Sequence, residues 1–294
     1  MPFNHSQYLE AILKTVDAAE VRRRRFKILF DPVNGSAIEV GKKLFSQLGK
    51  LVMINDRLGQ RPTRASEPRA HTLKETAKKV VKNHCDLGIA TDVDADRVLF
   101  IDETGVVLSE DLTAVILGTH TKPMRGRARV WYVTPVNSSG LFKREMRKIG
   151  VKVIESGVGP PEIISAIKKC HASFAYEESG KYFFADRFLW ADGLLAGVEM
   201  LAALASRGKP LSQIRKEYPE YYQVKLAVDC PWEKMPRRWI GQGEKLIYDN
   251  SFMFIRASGT EPLIRIFSDS PNQSLAEKLA ETGKKMVEAE LCVG

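Results

Sequence analysis

The stretch Asp92-Val93-Asp94-Ala95-Asp96-Arg97 places three carboxylates at alternate positions and follows them with a guanidinium. On a continuing strand, side chains two apart share one face, so three ionised aspartates there repel one another unless a cation neutralises them. Oxygen donors of this kind suit a hard divalent ion, Mg2+ or Ca2+. Residues 92–103 follow the calcium-loop pattern D-x-[DN]-x-[DN]-G with a final Glu at the three aspartates and at Glu103. They depart from it at Arg97, where the sharp turn needs glycine, and in the apolar, strand-like flanks 88–90 and 98–101, where helices belong. Mg2+, usually held by few carboxylates and completed by phosphate oxygens, fits better, with Arg97 placed to hold the same phosphate.

Two further loops carry polar groups in dense array. Arg256-Ala257-Ser258-Gly259-Thr260 offers a guanidinium, two hydroxyls and glycine-exposed backbone N–H groups, and Arg265 adds a second cation at the start of the next strand. Such a loop cradles phosphate, although Ser-Gly-Thr also makes an ordinary turn. Glu177, Ser179 and Lys181 alternate in the same manner as the aspartates and are able to hydrogen-bond sugar hydroxyls; a plain surface turn competes for that loop taken alone.

The elements that position these loops show a duplication. Leu9 aligns with Leu112, Ile12 with Val115 and Pro32-Val33-Asn34 with Pro135-Val136-Asn137, each pair 103 positions apart. Each copy continues with a helix-period apolar pattern ending at a glycine (Gly49, Gly150), a short strand (51–54; 151–154), a helix (73–81; 162–170) and another strand (86–91; 172–176). A period this long is domain duplication rather than a solenoid. Alternating helices and strands predict three-layer α/β units with largely parallel sheets, whose ligands gather at the carboxyl ends of the strands, where both Asp92 and Glu177 fall. From about residue 213 closely spaced strands (222–228, 245–248, 252–255, 263–267) and a final helix (274–291) predict a small α+β domain with an antiparallel sheet. The expected domains are 1–108, 109–212 and 213–294.

Composition bounds the rest. The 294 residues are 44% hydrophobic, and 45 Lys plus Arg against 36 Asp plus Glu give a formal charge of +9. That surplus suits an anionic ligand. The run Arg22-Arg23-Arg24-Arg25 is short and lacks interleaved aromatics, so it reads as a solvated helix end rather than a nucleic-acid contact. No apolar stretch approaches membrane-spanning length, the opening MPFNHSQYLEAIL has no basic segment leading into an apolar run, and the expected location is cytoplasmic. Cys85, Cys170, Cys230 and Cys292 are scattered without metal or disulfide spacing and read as buried small residues.

The three loops, in this order, resemble those of the α-D-phosphohexomutase superfamily, which includes phosphoglucomutases, phosphomannomutases and phosphoglucosamine mutases. Asp92–Arg97 is similar to its D-G-D-G/A-D-R metal loop, Glu177-Glu178-Ser179-Gly180-Lys181 to its G-E-x-S-G-H sugar loop, and Arg256–Pro262 to its R-x-S-G-T-E-P phosphate loop. Asp31-Pro32-Val33-Asn34-Gly35, Glu67-Pro68 and 86–90 match as well.

The resemblance implies the second, third and fourth of four domains: two duplicated α/β/α domains with mostly parallel mixed sheets, then the α+β domain. It implies Mg2+ on Asp92, Asp94 and Asp96, and Arg97 as the catalytic contact to the phosphoserine or the transferring group. Glu177, Ser179 and Lys181 are then substrate-binding, and Arg256, Ser258, Gly259 and Thr260 hold the phosphate not being transferred. Hexose 1-phosphate and 6-phosphate of glucose or mannose are the implied substrates, with glucose 1,6-bisphosphate as activator and intermediate. Asn4-His5-Ser6 does not reproduce the family's T-A-S-H-N-P serine motif and nothing else here resembles it, so the implied serine domain is a separate phosphoserine-domain polypeptide that assembles in trans, or has been lost from this sequence. The competing expectation is a Mg2+- and phosphosugar-binding protein without turnover. Lys181 stands for the usual histidine, Val93 for the loop's first glycine, and Val158-Gly159-Pro160-Pro161 for a more polar segment.

Overall fold

The structure, a computed structural model, describes residues 5–121 and 130–293. Asn4 of the Asn4-His5-Ser6 stretch therefore lies outside the described residues. Two compact units form, Met1–Thr134 with Glu145–Tyr218, and Pro135–Arg144 with Pro219–Gly294.

The first unit opens with α1 (His5–Leu13), α2 (Ala18–Arg24), β1 (Lys27–Asp31), α3 (Ile38–Ser46), β2 (Lys50–Met53), α4 (Lys74–Lys82), β3 (Leu87–Thr91) and β4 (Val98–Asp102). The strands form a sheet of order β2-β1-β3-β4, with β1 parallel to β2 and β3, and β4 antiparallel to β3. β3 and β4 are buried at every position, which is why both read as unbroken apolar runs rather than as alternation.

α5 (Glu110–His120) leads to β5 (Val130–Pro135), α6 (Gly140–Lys148), β6 (Val151–Ser156), α7 (Pro160–Cys170), β7 (Phe174–Glu177), β8 (Lys181–Phe183), α8 (Gly193–Arg207) and α9 (Leu211–Arg215). The second sheet repeats the first, in order β6-β5-β7-β8, with β7 parallel to β5 and β8 antiparallel to β7. The mixed sheets thus agree with the expected fold class.

α8 joins the two halves of this unit. It is buried from Gly193 through Ala205, so it is packed on all sides rather than on one face, and apart from Glu199 that buried run is apolar. Glycine is required at 197, where an added Cβ would come within 2.9 Å of the Phe45 ring. Asp192 caps the helix by accepting from the amides of Leu194 and Leu195 (2.9 and 3.0 Å), and Tyr8 donates its hydroxyl to the other carboxylate oxygen at 2.7 Å. The basic run resolves as the end of α2: Arg24 donates twice to the Ala205 carbonyl at the end of α8, and Arg22 Nε donates to the Gln47 carbonyl.

The duplication holds from β1 and β5 through β2 and β6, then its register breaks. From Met53 to Lys74 the first copy inserts a long connection, where the second passes almost directly from Ser156 to Pro160. The glycine endings also differ: Gly150 is left-handed (φ 75), but Gly49 is not, and is required because a Cβ there would collide with the Phe26 carbonyl.

Glu199, 1% exposed in α8, pairs with Arg187, and His120 Nε2 lies 3.9 Å from it. Burial, and then the charges of Arg187 and Arg207, push the imidazole down from 6.5 to about 4; Glu199 is already engaged by Arg187. Between those values the unfolded chain binds the extra proton and the folded chain does not, so this site loses stability as pH falls through the window. His120→Gln is therefore expected to lose less melting temperature than the parent between pH about 7 and about 5. Thermal scans at both values check it, and equal acid sensitivity contradicts it.

The second unit holds β9 (Tyr222–Asp229), β10 (Glu244–Tyr248), β11 (Ser251–Ala257), β12 (Leu263–Ser270) and α10 (Gln273–Val293). Its sheet, of order β10-β11-β12-β9, is antiparallel throughout, as expected. One face packs on α10 around Trp239, Met253, Ile264, Ile266 and Val287. No helix among the described residues is long and apolar enough to cross a membrane.

Candidate functional site

Asp92–Arg97 is the loop of the β3–β4 hairpin, closed by the pair Thr91–Val98. The strand-face picture of alternating aspartates is corrected here: a turn, not a pleat, gathers them. Ala95 is left-handed (φ 59), its amide donates to the Asp92 carbonyl, and the Arg97 amide donates to Asp92 Oδ1 at 3.1 Å. One carboxylate oxygen from each of Asp92, Asp94 and Asp96 lies within 4.8 Å of the others. Burial pushes the Asp92 carboxyl up to about 6, and the Asp96 and Asp94 charges push the same way against the Arg97 amide. The cluster gathers three carboxylates on hard oxygen donors, offset only in part by Arg97 and by Lys181 on Asp96, and a divalent cation fits it.

Arg97 reaches across this cluster. Its Nη1 pairs with Glu67, and its Nε stands 3.6 Å from Asp92 and 3.9 Å from Asp96, beyond hydrogen-bond length. That Nε is a buried donor with no acceptor among the described residues. Such a donor is able to take a phosphoryl oxygen as its acceptor.

The Glu177–Lys181 turn connects β7 to β8 and is stitched to the aspartate loop. Val98 donates its amide to the Gly180 carbonyl at 2.9 Å, and Gly180 (φ 88) packs so close to Val98 that a side chain would crowd the carbonyl there. Ser179 Oγ donates to Glu177 Oε2 at 2.8 Å, and burial raises the Glu177 carboxyl. Lys181 Nζ does not extend into solvent but sits 2.6 Å from Asp96 Oδ2. The first two loops are therefore brought together in one unit.

The third loop lies in the second unit. In the β11–β12 ladder Arg256 pairs directly with Arg265, a like-charge juxtaposition that favours an anion between them. Arg256 Nε donates to the Gly241 carbonyl at 2.8 Å, and Arg265 pairs with Glu261. Ser258 accepts from the amides of Thr260 and Glu261 (3.4 and 3.3 Å), so its oxygen holds the turn while its proton stays available to a ligand.

Arg64 and Arg69, on the long connection before α4, belong to no motif read from the sequence, and Glu67 enters only through the Glu67-Pro68 match, without a role. Glu67 receives Arg69 at 2.8 Å as well as Arg97, and Arg69 also pairs with Glu110 at 3.0 Å. The signal that marks them is the asymmetry of the duplication, since the second copy has no room for such residues.

Known proteins are similar to this chain in sequence and in fold. Models of three phosphoglucomutase/phosphomannomutase domains match the chain: alpha/beta/alpha domain II over residues 6–105, alpha/beta/alpha domain III over 109–222 and the C-terminal domain over 201–283. A Phosphoglucomutase/phosphomannomutase of Thermococcus kodakarensis is 31% identical over 300 residues, covering 97% of this chain and 65% of the relative.

In fold, the chain resembles a Phosphoglucomutase/phosphomannomutase family protein from Burkholderia thailandensis, with TM-score 0.82 at 19% identity over 97% of this chain and 64% of that one. It also resembles the Aspergillus fumigatus N-acetylphosphoglucosamine mutase in complex with GlcNAc-6P and magnesium, with TM-score 0.70 at 16% identity over 96% and 65%. The chain spans about two thirds of the length of the curated relatives it matches, 65% in the first case. The consecutive matches to domains II, III and C-terminal, on the fold and loops described above, make this chain a member of the phosphoglucomutase/phosphomannomutase family.

Proposed function

We propose that the chain supplies the metal, sugar and phosphate loops of a phosphohexose mutase, an isomerase that interconverts hexose 1-phosphate and 6-phosphate, with glucose and mannose phosphates as substrates. The phosphoserine comes from a phosphoserine domain outside these 294 residues. The observation that carries the reading is the gathering of three aspartate oxygens within 4.8 Å beside the buried Arg97 Nε, which makes no hydrogen bond among the described residues. The magnesium and GlcNAc-6P in the Aspergillus relative support it.

Asp92, Asp94 and Asp96 hold Mg2+, which when bound supplies a Lewis acid that offsets charge on phosphoryl oxygens. Arg97 Nε donates to the transferring phosphoryl group, and Glu67 on Nη1 fixes the guanidinium in that orientation. Glu177 accepts from a sugar hydroxyl with Ser179 as its neighbour, and Lys181, ion-paired with Asp96, sets a cation beside the aspartates for substrate phosphate. Arg256, Arg265, the Gly259 amide and the Ser258 and Thr260 hydroxyls hold the phosphate that is not transferred. Glucose 1,6-bisphosphate is the intermediate, which presents each phosphate in turn.

The test adds the phosphoserine domain, Mg2+ and glucose 1,6-bisphosphate to this chain and follows conversion of glucose 1-phosphate to 6-phosphate. Turnover supports the proposal; none in a folded mixture that still binds hexose phosphate replaces it with binding alone. In the same assay Arg256→Ala is expected to raise KM about 10- to 100-fold at little change in kcat, as for loss of a charged hydrogen bond to a group held equally in ground and transition states. An unchanged KM removes Arg256 from the phosphate site.

A further inference from the structure

The carbonyls of the metal loop alternate with its carboxylates, and each alternate carbonyl is held from outside the hairpin. Thr91 O accepts from Arg64 Nη2 at 2.6 Å. Val93 O accepts from the amide and hydroxyl of Ser36 at 2.8 and 3.0 Å. Ala95 O accepts from the Gly193 amide at 2.9 Å. With 91, 93 and 95 pinned by their carbonyls, the side chains of 92, 94 and 96 converge. Gly35 makes room for the second anchor, because a Cβ there would strike the Val93 backbone.

Of the three anchors, Arg64 is the most fully committed. Its side chain is 4% exposed and its partner Asp31 is 0% exposed. Nε donates to Asp31 Oδ2 at 2.8 Å, Nη2 to the carbonyls of Asp31 and Thr91, and Nη1 to those of Ala65 and Ser66 at 3.0 Å, so all five guanidinium protons have acceptors. Asp31 is fixed in turn by Thr76 Oγ1 (2.7 Å), Asn55 Nδ2 (3.0 Å) and the Val33 amide (3.1 Å). The guanidinium thereby ties the ends of neighbouring strands β1 and β3 together immediately before Asp92.

We propose that Arg64, oriented by Asp31, is a positioning residue for the metal loop, setting the spacing of Asp92, Asp94 and Asp96 through the Thr91 carbonyl. This rests on the reading of those aspartates as cation ligands. A merely structural role makes a different prediction: loss of any Asp31 partner then lowers stability, and metal affinity follows stability.

The test is titration of the full chain with Mn2+, read by electron paramagnetic resonance, with melting temperature measured in parallel. Arg64→Lys keeps the charge but cannot bridge both strand ends, and is expected to weaken Mn2+ binding about 10- to 100-fold, the usual effect of losing a group that orients metal ligands. Thr76→Val removes a hydrogen bond to Asp31 but leaves the Thr91 carbonyl held; it is expected to melt earlier and bind Mn2+ within about twofold of the parent. Ser36→Ala, at an exposed site, removes one donor to Val93 and is expected to weaken binding severalfold, which keeps the idea testable if Arg64→Lys does not fold. Parent-like affinity in Arg64→Lys or, where that variant does not fold, in Ser36→Ala, or equal weakening in Thr76→Val, overturns the proposal. A parent chain that binds Mn2+ no better than Asp94→Asn overturns the metal reading itself.

Discussion

Asp94→Asn is expected to lower the reconstituted mutase rate by about 10^3-fold or more, several kcal/mol of lost charge stabilisation. The substitution keeps the size of the side chain and one oxygen but removes a third of the charge of the cluster. Asp94 is the most exposed of the three and makes no hydrogen bond or ion pair among the described residues, so the fold does not depend on it. In metal-free buffer the variant is expected to melt no lower than the parent, because it relieves repulsion with Asp92 and Asp96. Rate loss with stability retained identifies a ligand. A rate within about tenfold of the parent removes Asp94 from the metal site.

Asp31→Ala acts on stability instead, and by a large amount. It leaves the Arg64 guanidinium in an interior position, 4% exposed, without its counter-charge, and takes the acceptor from Thr76, Asn55 and the Val33 amide as well. Breaking a buried pair from one side costs about 3–5 kcal/mol, because the remaining charge stays buried and uncompensated. Chemical denaturation of the full chain measures it. Asp31→Leu combined with Arg64→Met is expected to recover part of that stability without recovering Mn2+ affinity, since the apolar pair fills the space but leaves the Thr91 carbonyl unheld. A loss below about 1 kcal/mol for Asp31→Ala shows that the pair is not the buried clamp described.

What the sequence disclosed follows from the range over which each feature acts. β3 and β4 are legible because burial on both faces demands continuous apolar residues. In the second unit the β10–β11–β12 pairing is legible because the turns at 249–250 and 258–262 leave no room for crossovers, whereas the longer connection 230–243 does not reveal that β9 pairs with β12. The turns at Pro32-Val33-Asn34 and Pro135-Val136-Asn137 repeat at equal spacing and disclose the duplication.

The aspartate triad was visible as chemistry but not as geometry. Alternation suggested a strand face, whereas a left-handed Ala95 and three external anchors on alternate carbonyls produce the convergence. Arg64 stayed hidden because its acceptors are mostly backbone carbonyls, which leave no trace in residue type. The placement of Lys181 on Asp96, 85 positions away in the chain, likewise depends on two sheets meeting through Gly180 and Val98, a contact no local pattern encodes.

The most direct test of the mutase reading follows one labelled phosphoryl group. A phosphoserine domain carrying 32P on its serine is mixed with this chain, Mg2+ and unlabelled glucose 1-phosphate, and label is traced through a single turnover. The reading predicts that label leaves the serine for the sugar only when both this chain and Mg2+ are present, and stays on the serine when Asp94→Asn replaces the parent. Label that remains on the serine in a complex shown to be folded and to bind the sugar phosphate, or that transfers equally well without this chain, contradicts it.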